Sequence, residues 1–186
     1  MSVVERRGHR IRVLYSCEDI AARNAAIARE IAGLDLSNLL IVAILKGSFV
    51  FASDLLRALY EAGVSPEVDF MSLSSYGAGT TSRGQVTILR DVEMDMHGRS
   101  VILVDDILES GRTLAFAKDL MVARGARSVH SCVLLDKPGH RSADIEADFV
   151  GFECPDLFVV GYGMDVAHAF RELPFVGIVE ERSDRK

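Results

Sequence analysis

The stretch from Ser100 to Leu135 constrains the fold more than any other part of this chain. An apolar run over Ser100–Val104 gives way to a polar turn. A helical stretch follows over Arg112–Arg124, ended by Gly125, and then a second apolar run over Ser128–Leu135. Apolar runs this continuous suit strands covered on both faces, so the order predicts two parallel strands joined by a right-handed crossover. Elsewhere, strand-length apolar runs keep alternating with helical spacing, which sets the fold class as α/β.

His9–Tyr15 reads as a strand. Ser16 caps a helix with Asp19 reaching back, and Ile20, Asn24, Ile27 and Ile31 share one face until Gly33. Leu39–Leu45 (LLIVAIL) is a buried strand, and a helix from Phe49 to Ala62 is expected to turn Phe49, Ala52, Leu56, Leu59 and Tyr60 inward. Strands over Val68–Ser74 and Val86–Arg90 flank Tyr76–Gln85 (YGAGTTSRGQ), which has almost nothing to bury and is expected to be a mobile lid on a hairpin. Shorter strands near Phe149–Phe152, Phe158–Gly161 and Val176–Val179 are expected to form a small hood. The 186 residues therefore read as one domain, with a core over about 35–150 and a hood from 1–15 and 151–186.

A net charge of −6 argues against a surface built to grip nucleic acid or an anionic membrane, and leaves room for a small basic pocket. Cys17, Cys132 and Cys154 lie far apart, so neither a disulfide framework nor a zinc cage is expected. The opening MSVVERRGHRIRV lacks the apolar run of a signal peptide, and no apolar stretch has the length of a membrane span. A cytoplasmic setting is the expectation.

The chemistry concentrates in Val101–Leu114, VILVDDILESGRTL. Small residues at the start of a helix leave backbone N–H groups free, and Ser110 and Thr113 add hydroxyls, which together make a cradle for a phosphate dianion. Asp105 and Asp106, just upstream, suit ribose hydroxyls or metal ions that neutralise a polyphosphate. Two turn residues and a helix cap are the ordinary reading of the same letters. Neither a Walker loop nor a complete dinucleotide fingerprint is present, since Gly161-Tyr162-Gly163 lacks a third glycine. His97, His130, His140 and His168 have no metal-ligand spacing and are read as non-catalytic.

VILVDDILESGRTL resembles the phosphoribosyl-pyrophosphate motif of the type I phosphoribosyltransferases. Other segments resemble the hypoxanthine-guanine branch of that family: Leu45-Lys46-Gly47-Ser48 its pyrophosphate loop, Ser74-Ser75-Tyr76-Gly77 the opening of its flexible catalytic loop, and Leu134-Leu135-Asp136-Lys137-Pro138 its purine-contacting turn. Phe158-Val159-Val160-Gly161-Tyr162-Gly163-Met164-Asp165, followed by Phe170-Arg171-Glu172-Leu173-Pro174, resembles its hood signature. The matches fall in family order from about Ile11 to Val179. The resemblance implies a central, mostly parallel sheet flanked by helices, with a hood and a flexible catalytic loop.

It also implies an enzyme of purine salvage that joins hypoxanthine, or guanine, to phosphoribosyl pyrophosphate with Mg²⁺, as a homodimer or homotetramer. Lys46 and Gly47 would hold pyrophosphate, with a cis peptide before Lys46, and Ser75 and Tyr76 would join the substrate contacts. Asp105 and Asp106 would bind the ribose and a metal ion. Ser110, Gly111, Arg112 and Thr113 would take the 5′-phosphate. Lys137 would donate to the purine 6-oxo group, Phe158 would stack on the base, and Val159 would offer backbone groups to its edge. Asp165 would take a second metal ion, and Arg171 would reach pyrophosphate. Glu109 stands where the family usually has Asp, as the acceptor of the purine N7 proton. Val166 replaces a common aromatic residue, and either His140 or Arg141 is the second basic residue of the purine turn. A guanine- or xanthine-preferring relative and an RNA-binding regulator on the same fold remain as competing readings.

Overall fold

The computed structural model describes residues 2–75 and 86–180. Elements follow in the order β1 (Val3–Arg6), β2 (His9–Tyr15), α1 (Cys17–Ala32), β3 (Leu40–Leu45), α2 (Phe49–Glu61), β4 (Glu67–Ser75) and β5 (Val86–Arg90). Then come β6 (Ser100–Leu108), α3 (Arg112–Ala123), β7 (Ser128–Asp136), β8 (Phe149–Glu153), β9 (Val159–Val160) and β10 (Val176–Glu180). The main sheet has the order β5-β4-β3-β6-β7-β8, parallel throughout except for β5, which runs antiparallel to β4. A second, antiparallel sheet has the order β1-β2-β10-β9.

Both faces of the main sheet are covered, as its unbroken apolar strands require. On one face, Ile27 and Ile31 of α1 and Leu55 and Leu59 of α2 pack with Ile41, Ala43, Ile102 and Val104. On the other, Leu114, Ala117 and Met121 of α3 pack with Leu40, Val42, Val101 and Leu103. The start of α1 is fixed by a capping box, with the Asp19 N–H donating to Ser16 Oγ and the Ser16 N–H to the Asp19 carboxylate, each at 3.1 Å. Among the described residues, no helix is long and apolar enough to cross a membrane.

Three features differ from the sequence expectation. Helix α2 buries Phe51, Ala52, Leu55 and Leu59, while Phe49 is 46% and Tyr60 74% exposed. The buried Ser48 hydroxyl donates to the Ile44 carbonyl at 2.6 Å and fixes how the helix leaves the preceding loop. Strand β8 pairs parallel with β7 in the main sheet rather than with the hood strands. Strand β6 extends four residues past Val104 to Leu108, so Asp105 and Asp106 lie within it.

The crossing from β5 to β6 is pinned by Asp69 on β4. Its carboxylate accepts from the N–H groups of Phe70 (2.7 Å), Glu93 (2.7 Å) and Met94 (3.0 Å). Burial pushes this carboxyl up, but the Met94, Phe70 and Glu93 donors outweigh it and leave it below the ordinary value. The resulting stability is whole above the unfolded pKa of about 3.9 and fades as pH falls through the lower folded value. Asp69→Asn is expected to lose about 1–3 kcal/mol in denaturant titrations at neutral pH. The gap should close in strong acid. An equal gap at both pH values would mean that the charge contributes nothing.

Candidate active site

The chain passes from β3 outward to β4 and returns on the other side of β3 as β6, so the strand order reverses between β3 and β6. Parallel sheets open a ligand crevice beyond the carboxyl ends of their strands at such a point. Lys46 and Gly47 leave β3 there, and the Leu45–Lys46 peptide is cis, as the resemblance implies. A cavity of about 260 Å³ fills the crevice, lined by Lys46, Gly47, Asp105, Asp106, Ser110 and Thr113 among others. A roomier cavity, about 650 Å³, lies at the amino-terminal end of β3, β4 and β6 near Leu36, Val64 and Arg99. It contains none of the motif residues.

The cradle is the start of α3. Gly111 is its N-cap at φ 80°, its first turn carries no acidic residue, and the Arg112 N–H makes only a long contact with Ser110 Oγ, at 3.4 Å. The helix dipole and the leading N–H groups therefore face the cavity without an internal anion. Gly47 fits against the acidic pair so closely that a Cβ there would fall 1.7 Å from Asp106 Oδ2. A side chain at position 47 cannot coexist with that carboxylate as placed.

Asp105 is buried, and its carboxylate accepts from the Asp106 N–H at 3.0 Å. Burial, then the Asp106 charge, pushes the Asp105 carboxyl well above the usual range. Burial also raises Asp106, against the opposing pull of its hydrogen bonds and of Arg171. The two neighbouring carboxyls form an all-oxygen donor set, which fits a hard divalent ion.

Beyond the acidic pair, a cavity of about 190 Å³ is lined by Asp106, Glu109, Lys137, Phe158, Val159 and Asp165, with Ile107 and Met164. Lys137 is only 8% exposed, and its Nζ donates to Glu109 Oε1 at 2.8 Å. Phe158 is 61% exposed and faces this cavity rather than the core. Glu109, His140 and Asp156 could offer ligand atoms within 4.8 Å of one another. The cation beside them is Lys137 itself, whose Nζ is also 3.9 Å from Asp156.

His140 Nε2 lies 2.9 Å from Asp156 Oδ2, a partner that sequence spacing gave no sign of. Arg141 is a structural tie: its guanidinium donates to the carbonyls of Glu109 (3.1 Å), Leu108 (3.4 Å) and Ile145 (2.6 Å) and pairs with Asp136. Arg112 brings its backbone N–H to the start of α3, while its Nε donates to Ser142 Oγ at 3.0 Å and its side chain does not line the crevice. As the first residue of α3 it points back and outward, over the turn beyond Lys137. Asp165 Oδ1 pairs with Arg171 at 2.5 Å, and the Arg171 guanidinium also donates to the Gly163 carbonyl at 2.6 Å. Ser75 ends β4, opposite Val86. The Ser75 side chain, Tyr76 and the expected lid lie outside the described residues.

A reversal-point crevice with an anion cradle on one side and an acidic pair on the other suits a phosphorylated ligand. Residues 14–167 match the family described as the phosphoribosyl transferase domain. A hypoxanthine phosphoribosyltransferase of Salmonella typhimurium is 42% identical over 174 residues, covering 92% of this chain and 96% of the relative. A hypoxanthine-guanine phosphoribosyltransferase of Streptococcus agalactiae is 43% identical over 174 residues, covering 91% and 93%. Among solved structures, a hypoxanthine phosphoribosyltransferase of Staphylococcus aureus matches with a TM-score of 0.84 and 39% identity over 90% of each chain. The chain belongs to the hypoxanthine phosphoribosyltransferase family.

Proposed function

We propose that this protein acts in purine salvage, transferring the 5-phosphoribosyl group from phosphoribosyl pyrophosphate to hypoxanthine, and to guanine, to give IMP or GMP and pyrophosphate. The observation that carries the reading is the Lys137–Glu109 pair, a donor beside an acceptor at 2.8 Å, next to the crevice with the phosphate cradle. A 6-oxopurine presents an acceptor at O6 and a proton at N7, which this pair complements. Adenine presents an amino group where Lys137 needs an acceptor.

In the reaction the bond from C1′ to the pyrophosphate oxygen breaks and the bond from C1′ to N9 forms, through an oxocarbenium-like transition state. Ser110, Thr113 and the N–H groups at the start of α3 hold the 5′-phosphate, and Asp105 and Asp106 hold the ribose hydroxyls. Lys46, the Gly47 backbone and Arg171 take the leaving pyrophosphate electrostatically. Phe158 stacks on the base and Val159 meets its edge, which keeps N9 in line with C1′. Glu109 accepts the N7 proton as N9 is alkylated. Mg²⁺ held by Asp105, Asp106 and Asp165 would neutralise the polyphosphate. On the same reading the enzyme works in the cytoplasm as a homodimer or homotetramer; light scattering of the purified chain tests the assembly.

The direct test is nucleotide formation with hypoxanthine, guanine, xanthine and adenine, with Mg²⁺ and with excess chelator. Turnover is expected with the first two bases and to be lost in chelator. Full turnover without a divalent ion, or adenine used as well as hypoxanthine, overturns the reading.

A further inference from the structure

Tyr162 lies in the hood turn between Gly161 and Gly163, and all three residues have positive φ, at 93°, 49° and 99°. The left-handed region is costly for a bulky L-residue, so something outside the turn must keep Tyr162 there. Its side chain is 4% exposed and reaches away from the substrate cavities. The hydroxyl donates to Asp54 Oδ2 at 2.7 Å and accepts from Asn24 Nδ2 at 3.0 Å. Asn24 is on α1 and Asp54 on α2, so one oxygen ties the turn to both helices. Burial and then the Asp54 carboxylate push this phenol well above its ordinary range, so it remains a donor at any working pH.

What the turn carries lies at the other end. A Cβ at Gly163 would fall 2.2 Å from the Gly47 carbonyl oxygen, so the turn rests directly on the loop after β3. The Gly163 carbonyl receives the Arg171 guanidinium at 2.6 Å, the Gly163 N–H donates to the Arg171 carbonyl at 3.1 Å, and Asp165 follows two residues later. Helix α2, which holds Asp54, starts immediately after that same loop. Val159 has a separate anchor, because β9 is paired with β10 at Ile178.

We infer that Tyr162 is a positioning residue for the pyrophosphate end of the site: its hydroxyl, held by Asp54 and Asn24, sets the hood turn at the height where Arg171 and Asp165 meet the Lys46–Gly47 loop. The inference rests on the proposed reaction and assigns separate anchors to the two substrates. The hydroxyl governs phosphoribosyl pyrophosphate, and the β9–β10 pairing governs the base.

The test compares wild type, Tyr162→Phe, Asp54→Leu and Asp54→Asn in steady-state kinetics with both substrates varied. Tyr162→Phe keeps the ring and removes the bond. It is expected to raise KM for phosphoribosyl pyrophosphate roughly tenfold, the scale of one buried hydrogen bond, with KM for hypoxanthine within about twofold of wild type. Asp54→Leu should reproduce that split, while Asp54→Asn, which keeps an acceptor oxygen, should return the phosphoribosyl pyrophosphate KM towards wild type. Equal rises in both KM values, or a lower melting temperature with neither KM changed, would reduce Tyr162 to a fold residue and overturn the inference. Absence of nucleotide formation by wild type would instead refute the proposed reaction itself, a result distinct from either of these.

Discussion

Glu109→Gln is expected to lower kcat by about 10²–10⁴-fold, the usual worth of general-base help, and to leave KM for phosphoribosyl pyrophosphate within a few-fold of wild type. The amide keeps the shape of the carboxylate and an oxygen that can still accept from Lys137 Nζ, now 2.8 Å from Oε1. What it loses is the capacity to take a proton from N7. Glu109 lines the same cavity as the phosphate cradle and the Lys46–Gly47 loop, but its carboxylate is engaged by Lys137 on the side of the smaller cavity, so binding of the sugar should change little. Glu109→Asp restores the residue usual in the family and should keep much of the activity, with a shorter reach to Lys137. A kcat for Glu109→Gln within about threefold of wild type would make the residue structural, and the proton would then have to leave by another route.

Lys137→Met should collapse base discrimination. Methionine keeps much of the stem and removes the ammonium, and the Lys137 backbone N–H remains tied to the Leu108 carbonyl at 2.9 Å, so the turn stays in place. Losing one partner of a buried, charge-assisted contact costs about 2–4 kcal/mol, so kcat/KM for hypoxanthine should fall by about 30- to 1,000-fold. Adenine, which offers no acceptor at position 6, should fall far less. Competition assays with both bases read this ratio. If hypoxanthine and adenine fall together, Lys137 supports the fold rather than the choice of base.

The crossover β6–α3–β7 can be read in the sequence because its apolar runs are continuous and Gly125 ends the helix between them. The limits of α1 follow from Ser16, Asp19 and Gly33. Strand β1 is not readable: Val3–Arg6 is short and mostly exposed, and its turn at Arg7-Gly8, with φ values of 49° and 75°, lacks the usual Asn-Gly or Asp-Gly signal. The exposed side of α2 is as apolar at Phe49 and Tyr60 as the buried side, so periodicity could not choose between them. Strand β8 rejoins the main sheet after a long excursion from β7, a pairing that no local pattern records. In the site, the acidic pair and the cradle are contiguous in sequence and stand out. The Lys137–Glu109 contact spans 28 residues and the Tyr162–Asp54 contact 108, and only the folded chain brings those groups together.

Strand β8 is an edge of the main sheet, and side chains already occupy its carbonyls. The Arg23 guanidinium donates to Val150 at 2.6 Å and to Gly151 at 3.1 Å, and the Tyr15 hydroxyl donates to Glu153 at 2.6 Å, with the Tyr15 ring stacked on Phe152 at 4.1 Å. An open edge is a template on which another chain can add a strand, the route to runaway aggregation. Here α1 and β2 stopper that edge. A second chain therefore cannot lengthen this sheet through β8 without first prising out Arg23 and Tyr15.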